Sequence, residues 1–284
     1  MQLNDWPQIE DLIERALEED LGRGDVTTEA LIPANKNCRA TIRSKAEGVL
    51  AGIEIAAMVF KEVDPFLKFT SPAADGFIVR PGMILAELEG KARSVLKGER
   101  VALNFLQHLS GIATITSGYV AAVKGLPVSI LDTRKTSPGL RLLEKYAVAA
   151  GGGKNHRMGL YDMVLIKDNH IAMMRRQGLD IEEIVQLARR NAPAGLKIEI
   201  ETTTPEDAEK AAKAGADIIM LDNMGLDEMR KAVHMIGHRA VVEASGGVNL
   251  GTVRAIAETG VDWISVGALT HSVPALDISL ELET

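Results

Sequence analysis

The chain has 284 residues, 46% of them hydrophobic and 25% charged, with a formal net charge of −7. That is the composition of a globular protein with core enough for one large domain or two ordinary ones. The acidic balance excludes a general nucleic-acid binder, which needs a basic face. Cys38 is the single cysteine, which excludes an intrachain disulfide and a cysteine metal cage. No apolar run approaches the ~20 residues that span a membrane. The acidic, amphipathic start has none of the features of a signal peptide, so a soluble cytoplasmic protein is expected.

Apolar positions at helical spacing (Ile9, Leu12, Ile13, Ala16, Leu17) predict a first helix over 6–20. Gly22 to Thr28 reads as a loop. Alternation predicts a strand over 38–45, a second follows at 48–52, and a helix runs over 53–63. Short strands recur at 66–70, 77–79 and 84–88, separated by Ser71-Pro72 and Arg80-Pro81-Gly82. Strands so close together imply a small α+β domain. A helix over 97–109 carries Arg100, Asn104 and His108.

After residue 111 the rhythm becomes helix 112–124, strand 127–132, helix 139–150, strand 163–167 and helix 180–191. It continues with strand 196–202, helix 205–214, strand 217–222, helix 226–236, strand 239–245, helix 250–259 and strand 262–267. Thr204-Pro205-Glu206-Asp207 is a helix start, with an N-cap, proline at the first helical position and early acids. Alternating strands and helices imply βα units on a parallel sheet. Six strands are two short of a full eight-stranded barrel, leaving an incomplete barrel or an open doubly wound sheet. Asp132/Arg134, Lys167/Asp168, Glu201, Asp222, Ser245 and Gly267 fall at the C-terminal ends of all six strands. A ring of functional candidates favours the α/β barrel, since an open sheet gathers them at one crevice.

Three groups of residues carry chemistry. Arg134, Lys135, Lys154, Arg157 and Lys167 follow strands or the triple glycine Gly151–Gly153, and such cations recognise carboxylates and phosphates. Ile198-Glu199-Ile200-Glu201 puts two carboxylates on one strand face. Glu199 reads as a core residue satisfied by lysines. Glu201 and Asp222, nearer the rim, suit Mg²⁺ or sugar hydroxyls. Ser245-Gly246-Gly247, followed by a helix and Gly267, suits a phosphate. His108, His234 and His238 read as structural or surface residues, and His170 and His271 lie near the rim. No zinc spacing, nucleophile elbow, Walker loop or dinucleotide fingerprint occurs.

These residues describe an enzyme that joins a carboxylated ligand to a phosphorylated, metal-bound one. The segment Asp132-Thr133-Arg134-Lys135-Thr136-Ser137-Pro138-Gly139-Leu140-Arg141, with Gly-Gly-Lys-Asn-His-Arg and Leu-Ile-Lys-Asp-Asn-His, resembles the quinolinate phosphoribosyltransferases. The similarity runs from Glu19-Asp20-Leu21-Gly22-Arg23-Gly24-Asp25-Val26-Thr27 to Ser265-Val266-Gly267-Ala268-Leu269-Thr270-His271. Ser137, where threonine is frequent, is the one departure, and a conservative one.

The resemblance implies an N-terminal α/β-sandwich domain over 1–111, rejoined by the tail 271–284, and an incomplete α/β barrel over 112–270. It also implies phosphoribosyl transfer from phosphoribosyl pyrophosphate to quinolinate with loss of CO₂, giving nicotinate mononucleotide for NAD biosynthesis. Arg134, His156, Arg157 and Lys167 are then expected to hold the two carboxylates. Arg100 would be lent to a neighbouring subunit, making at least a homodimer. Lys135 would contact the phosphates, and Glu201 and Asp222 the ribose hydroxyls and Mg²⁺. Ser245, Gly246 and Gly267 would take the 5′-phosphate, and Thr133, Gly247 and His271 complete the substrate-binding set. The competing readings are a different phosphate-binding barrel enzyme, a molybdenum-transport-associated paralogue and a non-catalytic module that binds anionic metabolites.

Overall fold

A computed structural model describes residues 7–283. Trp6, in the expected first helix, lies outside them. The chain divides into two compact units. One contains the described residues up to Ser117, together with Ser137–Gly152 and the chain from Ser272 onward. The other contains Gly118–Thr136 and Gly153–His271.

The first unit opens with α1 (Pro7–Leu21), which buries Ile9, Ile13 and Leu17, one stripe of an amphipathic helix. The segment read as a loop contains a second helix, α2 (Val26–Leu31), started by Asp25, whose carboxylate accepts the Thr28 N–H at 2.9 Å. Hydrogen bonding by the Thr28 side chain, and then by this N–H, holds the Asp25 carboxyl below its ordinary pKa. Then come β1 (Asn37–Ser44), β2 (Gly48–Val49), α3 (Ile53–Val63), β3 (Lys68–Thr70), β4 (Ile78–Val79) and β5 (Ile84–Lys91). With β12 (Ile278–Leu282), three of these build a four-stranded antiparallel sheet in the order β12-β1-β5-β3. Its strands and α3 bury Ile42, Leu85, Ala86, Ile55, Val59 and Phe60.

The two helices expected over 97–109 and 112–124 are one, α4 (Ala92–Ala122), of 31 residues. Glycine in a helix costs about 1 kcal/mol relative to alanine, and Gly111 reads as a break for that reason. It is retained for packing, because a Cβ there would lie 2.3 Å from the Pro274 carbonyl oxygen. The first unit also holds α5 (Arg141–Ala150), where buried Glu144 accepts from the Ser137 N–H and meets His108 Nε2 at 2.9 Å.

In the second unit β6 (Ser129–Leu131), β7 (Val164–Ile166), β8 (Ile198–Thr202), β9 (Ile218–Asp222), β10 (Val241–Ser245) and β11 (Trp263–Ser265) form one parallel sheet. Helices α7 (Ile181–Asn191), α8 (Pro205–Lys213), α9 (Leu226–Ile236) and α10 (Val253–Ala257) connect them. Its order is β6-β11-β10-β9-β8-β7, so successive strands are added in one direction with no reversal. A doubly wound sheet reverses at a switch point; this winding is that of a barrel left unclosed between β6 and β7. The free edge of β6 is partly used by Lys154, whose N–H donates to the Ile130 carbonyl and whose own carbonyl accepts from Asp132. Two short helices that sequence periodicity does not show, α6 (Asp168–Arg175) and α11 (Ala268–His271), follow β7 and β11. Among the described residues no helix is long and apolar enough to cross a membrane.

Candidate active site

Alternation along the parallel strands builds a cavity with two layers of polar side chains. On β8 the layers are Glu199 below and Glu201 above, and on β10 they are Glu243 and Ser245. On β9, Asp222 pairs in register with Ser245. The cavity at this end is lined by Thr133, Arg134, Lys135, His156, Arg157, Lys167, Glu201, Asp222 and Ser245, all expected from sequence, together with Leu165, Met220, Glu243 and Ser265.

The floor is a buried ionic cluster. His156, with a side chain 6% exposed, places Nε2 at 3.1 Å from Glu199 Oε2 and 3.2 Å from Glu243 Oε2, and neither glutamate side chain has any exposure. Glu199 is thus held by a histidine and not by the lysines expected. Sequence reading misses Glu243, although Val-Val-Glu-Ala-Ser repeats the alternation of Ile-Glu-Ile-Glu. Ser265 donates its hydroxyl to Glu243 Oε1 at 2.6 Å. Asp132, fully buried, accepts the backbone N–H of His156 at 2.8 Å and acts as a support beneath the rim.

Burial pushes the His156 pKa down, but the two carboxylates overcome it and carry it up to about 10. Burial, opposed by His156 and aided by Glu243, pushes Glu199 up as well. Both directions say that the cluster holds protons more tightly than its members would in water. The ring's orientation follows from Arg157, whose backbone N–H donates to His156 Nδ1 at 2.8 Å. That bond belongs to the neutral ring; in either charge state Nε2 keeps its proton and lies at ion-pair distance from both glutamates. The three side chains are close enough to surround a cation, which would have to displace the Nε2 proton to be ligated there.

The rim has the opposite character. Arg134 Nε is buried and, among the described residues, has no hydrogen-bond partner. Burial and then the positive charge of Arg134 push the Arg157 guanidinium down from its ordinary pKa, and Arg157 Nη1 donates to the Met163 carbonyl at 3.2 Å. Lys167 is held at the start of α6, its N–H donating to His170 Nδ1 at 2.9 Å, so His170 orients this lysine. Lys167 Nζ lies 3.5 Å from Glu201 Oε1, and Glu201 Oε2 accepts the Asp168 N–H. The Lys135 stem lies against Gly267 beside the His271 ring, and its carbonyl accepts from Thr270 Oγ1 at 2.7 Å. Gly246 and Gly247 leave β10 with φ of +92° and +63°, a left-handed turn that exposes backbone N–H groups. Arg100 lies exposed on α4 in the first unit and does not line the cavity.

Glu201 and Asp222 offer partly exposed carboxylate oxygens on neighbouring strands. Such donors fit a hard dication shared with oxygens of a phosphorylated ligand. The arrangement is that of an α/β-barrel enzyme whose cavity has fixed cations on one side and carboxylates beside a glycine turn on the other. Residues 25–110 match the family described as quinolinate phosphoribosyl transferase, N-terminal domain, and residues 112–281 match its C-terminal domain. The chain belongs to the quinolinate phosphoribosyltransferase family. It is 44% identical to quinolinate phosphoribosyltransferase [decarboxylating] 1b of Nicotiana tabacum, over 97% of this chain and 83% of that one. To a probable nicotinate-nucleotide pyrophosphorylase [carboxylating] of Bacillus subtilis it is also 44% identical, over 97% and 93%. The crystal structure of NadC from Streptococcus pyogenes superposes with a TM-score of 0.92 at 42% identity, covering 97% of this chain and 96% of that one.

Proposed function

We infer that this chain transfers the phosphoribosyl group of phosphoribosyl pyrophosphate to quinolinate and releases pyrophosphate, CO₂ and nicotinate mononucleotide, a step of NAD biosynthesis. The observation that supports the site assignment is the pair of rim guanidinium groups, Arg134 and Arg157, with no carboxylate in direct contact among the salt bridges of the described residues. Arg134 Nε is buried and unpartnered, and Arg157 is destabilised by its arginine neighbour. A dicarboxylate supplies the missing charge. Arg134, Arg157 and Lys167 take its two carboxylates, with His156 in the floor beneath them.

Lys135 takes phosphate oxygens of the co-substrate. Ser245, Gly246, Gly247 and Gly267 take its 5′-phosphate, beside Thr133 and His271. Glu201 and Asp222 take the ribose hydroxyls and, with them, Mg²⁺, which when bound supplies positive charge to the pyrophosphate. The pyridine nitrogen then attacks the anomeric carbon, forming the C–N bond as the C–O bond to pyrophosphate breaks and its electron pair leaves with pyrophosphate. Glu201 and Asp222 face the positive charge that builds on the ribose, and Lys135 faces the leaving group, as preorganised electrostatics. The 2-carboxylate next departs as CO₂, leaving its bonding pair at C2 beside the pyridinium nitrogen, where a proton replaces it. A homodimer in which Arg100 reaches the partner's site, and a cytoplasmic location, are parts of the same proposal.

The test is a coupled assay with quinolinate, phosphoribosyl pyrophosphate and Mg²⁺, following CO₂ and nicotinate mononucleotide together. Equal yields of both from quinolinate, and none from nicotinate, are expected. Folded protein that forms neither product overturns the assignment and favours the molybdenum-transport-associated or binding-module reading.

A further inference from the structure

Asn223, directly after β9, has φ of 53°, one of two non-glycine residues in the left-handed region among the described residues. The other, His238, follows Gly237, the left-handed C-cap of α9, a place where such backbone is ordinary. Asn223 ends no helix. It follows Asp222 at the rim, where left-handed backbone is ordinary for glycine and, apart from it, is adopted chiefly by asparagine and aspartate.

Three contacts define what this conformation achieves. The Asn223 N–H donates to the Ser245 carbonyl at 2.9 Å, one residue beyond the Asp222–Ser245 register pair. Its Nδ2 donates to Asp222 Oδ2 at 3.0 Å. A carboxylate only accepts, so the amide nitrogen faces Asp222 and Oδ1 faces the other way. There Oδ1 lies so close to Gly246 that a Cβ on that residue would be 2.2 Å from it. The amide is thus wedged between the carboxylate assigned to ribose and the turn assigned to the 5′-phosphate. Asn223 is exposed, so burial of its side chain does not explain its place there.

We infer that Asn223 is a positioning residue that locks the Asp222 carboxylate to the Gly246 turn and so presets the phosphoribosyl subsite; this rests on the phosphoribosyltransferase reading above. Asn223→Gly isolates the role, because glycine adopts the same backbone without strain and lacks only the amide. Its melting temperature is expected to equal or exceed that of the unaltered protein. Its calorimetric affinity for phosphoribosyl pyrophosphate should fall roughly tenfold, the effect of one lost hydrogen bond to a charged group, with kcat falling and quinolinate affinity unchanged. Asn223→Asp, which sets a second carboxylate against Asp222, should lose more. An Asn223→Gly protein with unaltered affinity for phosphoribosyl pyrophosphate and unaltered kcat overturns the inference. Equal losses for both ligands, with a lowered melting temperature, also overturn it by showing a merely structural role. If the unaltered protein itself binds no phosphoribosyl pyrophosphate, the failure lies in the underlying reading, and the inference falls with it.

Discussion

Glu199 and Glu243 are fully buried charges that face a protein partner, His156, whereas Arg134 and Arg157 a layer higher share no carboxylate contact among the salt bridges of the described residues. Both regions belong to the same cavity. In the floor the carboxylates and the imidazole answer one another, so the cluster acts on the fold. At the rim the guanidinium groups repel, carboxylates act on Arg157 only from a distance, and a ligand can answer them directly. Charge in a protein interior is costly unless paired, so the difference separates groups kept for architecture from groups kept for binding.

The strongest way to break this comparison is to remove one floor carboxylate. Glu243→Ala leaves the His156 contact half made and the Ser265 hydroxyl without its acceptor, and a loss of about 3–5 kcal/mol of stability is expected, the cost of breaking a buried charge pair. Denaturant unfolding measures it, and a change under 1 kcal/mol, the scale of exposed pairs, would show that the floor does not act on the fold. At the rim the opposite split is expected. Arg134→Ala should weaken quinolinate binding by about 2–4 kcal/mol, as loss of a desolvated charge pair does, while the melting temperature holds or rises because repulsion with Arg157 is relieved. A large drop in melting temperature would place Arg134 with the architecture.

Gly111→Ala sharpens the comparison away from the site. A Cβ meeting the Pro274 carbonyl oxygen at 2.3 Å should cost about 1–3 kcal/mol of stability through overpacking without a change in either substrate affinity. The last prediction concerns pH. The folded pKa of His156, carried up to about 10 by its glutamates, lies above the ordinary value of 6.5. Its stabilising contribution is therefore full below about 6.5 and is lost as pH rises toward 10. Glu199, also pushed up by burial, adds in the same direction. The melting temperature should fall across that window, and Glu243→Gln should make the fall shallower. A flat profile in the unaltered protein would remove the coupling between His156 and its carboxylates.

Much of the second unit was legible in the chain, because its strands are short apolar runs ended by a polar residue and its helices carry their own caps. Asp180 before α7 and Thr204-Pro205 at α8 mark their helices locally. The candidates at strand ends, from Arg134 to Ser245, are legible for the same reason, since a residue that ends a strand must lie at the rim. Failures occur where long-range contact outweighs local signal. Gly111 reads as a break and is packed under Pro274, 163 positions later in the chain. Asp25-Val26-Thr27-Thr28 reads as a loop because six residues are too few for helical periodicity to show.

The sequence alone determined the parallel α/β class, the strand ends and, through its motifs, the family, since periodicity, capping and residue type are properties of neighbours in the chain. Tertiary structure decided which charges are answered. Glu199 and Glu201 are two positions apart on one strand, yet one has no exposure, against His156, and the other lies at the mouth, 3.5 Å from Lys167. Nothing in Ile-Glu-Ile-Glu separates them, because burial and counter-charge come from β10 and from the segment after the triple glycine, which only folding brings beside β8.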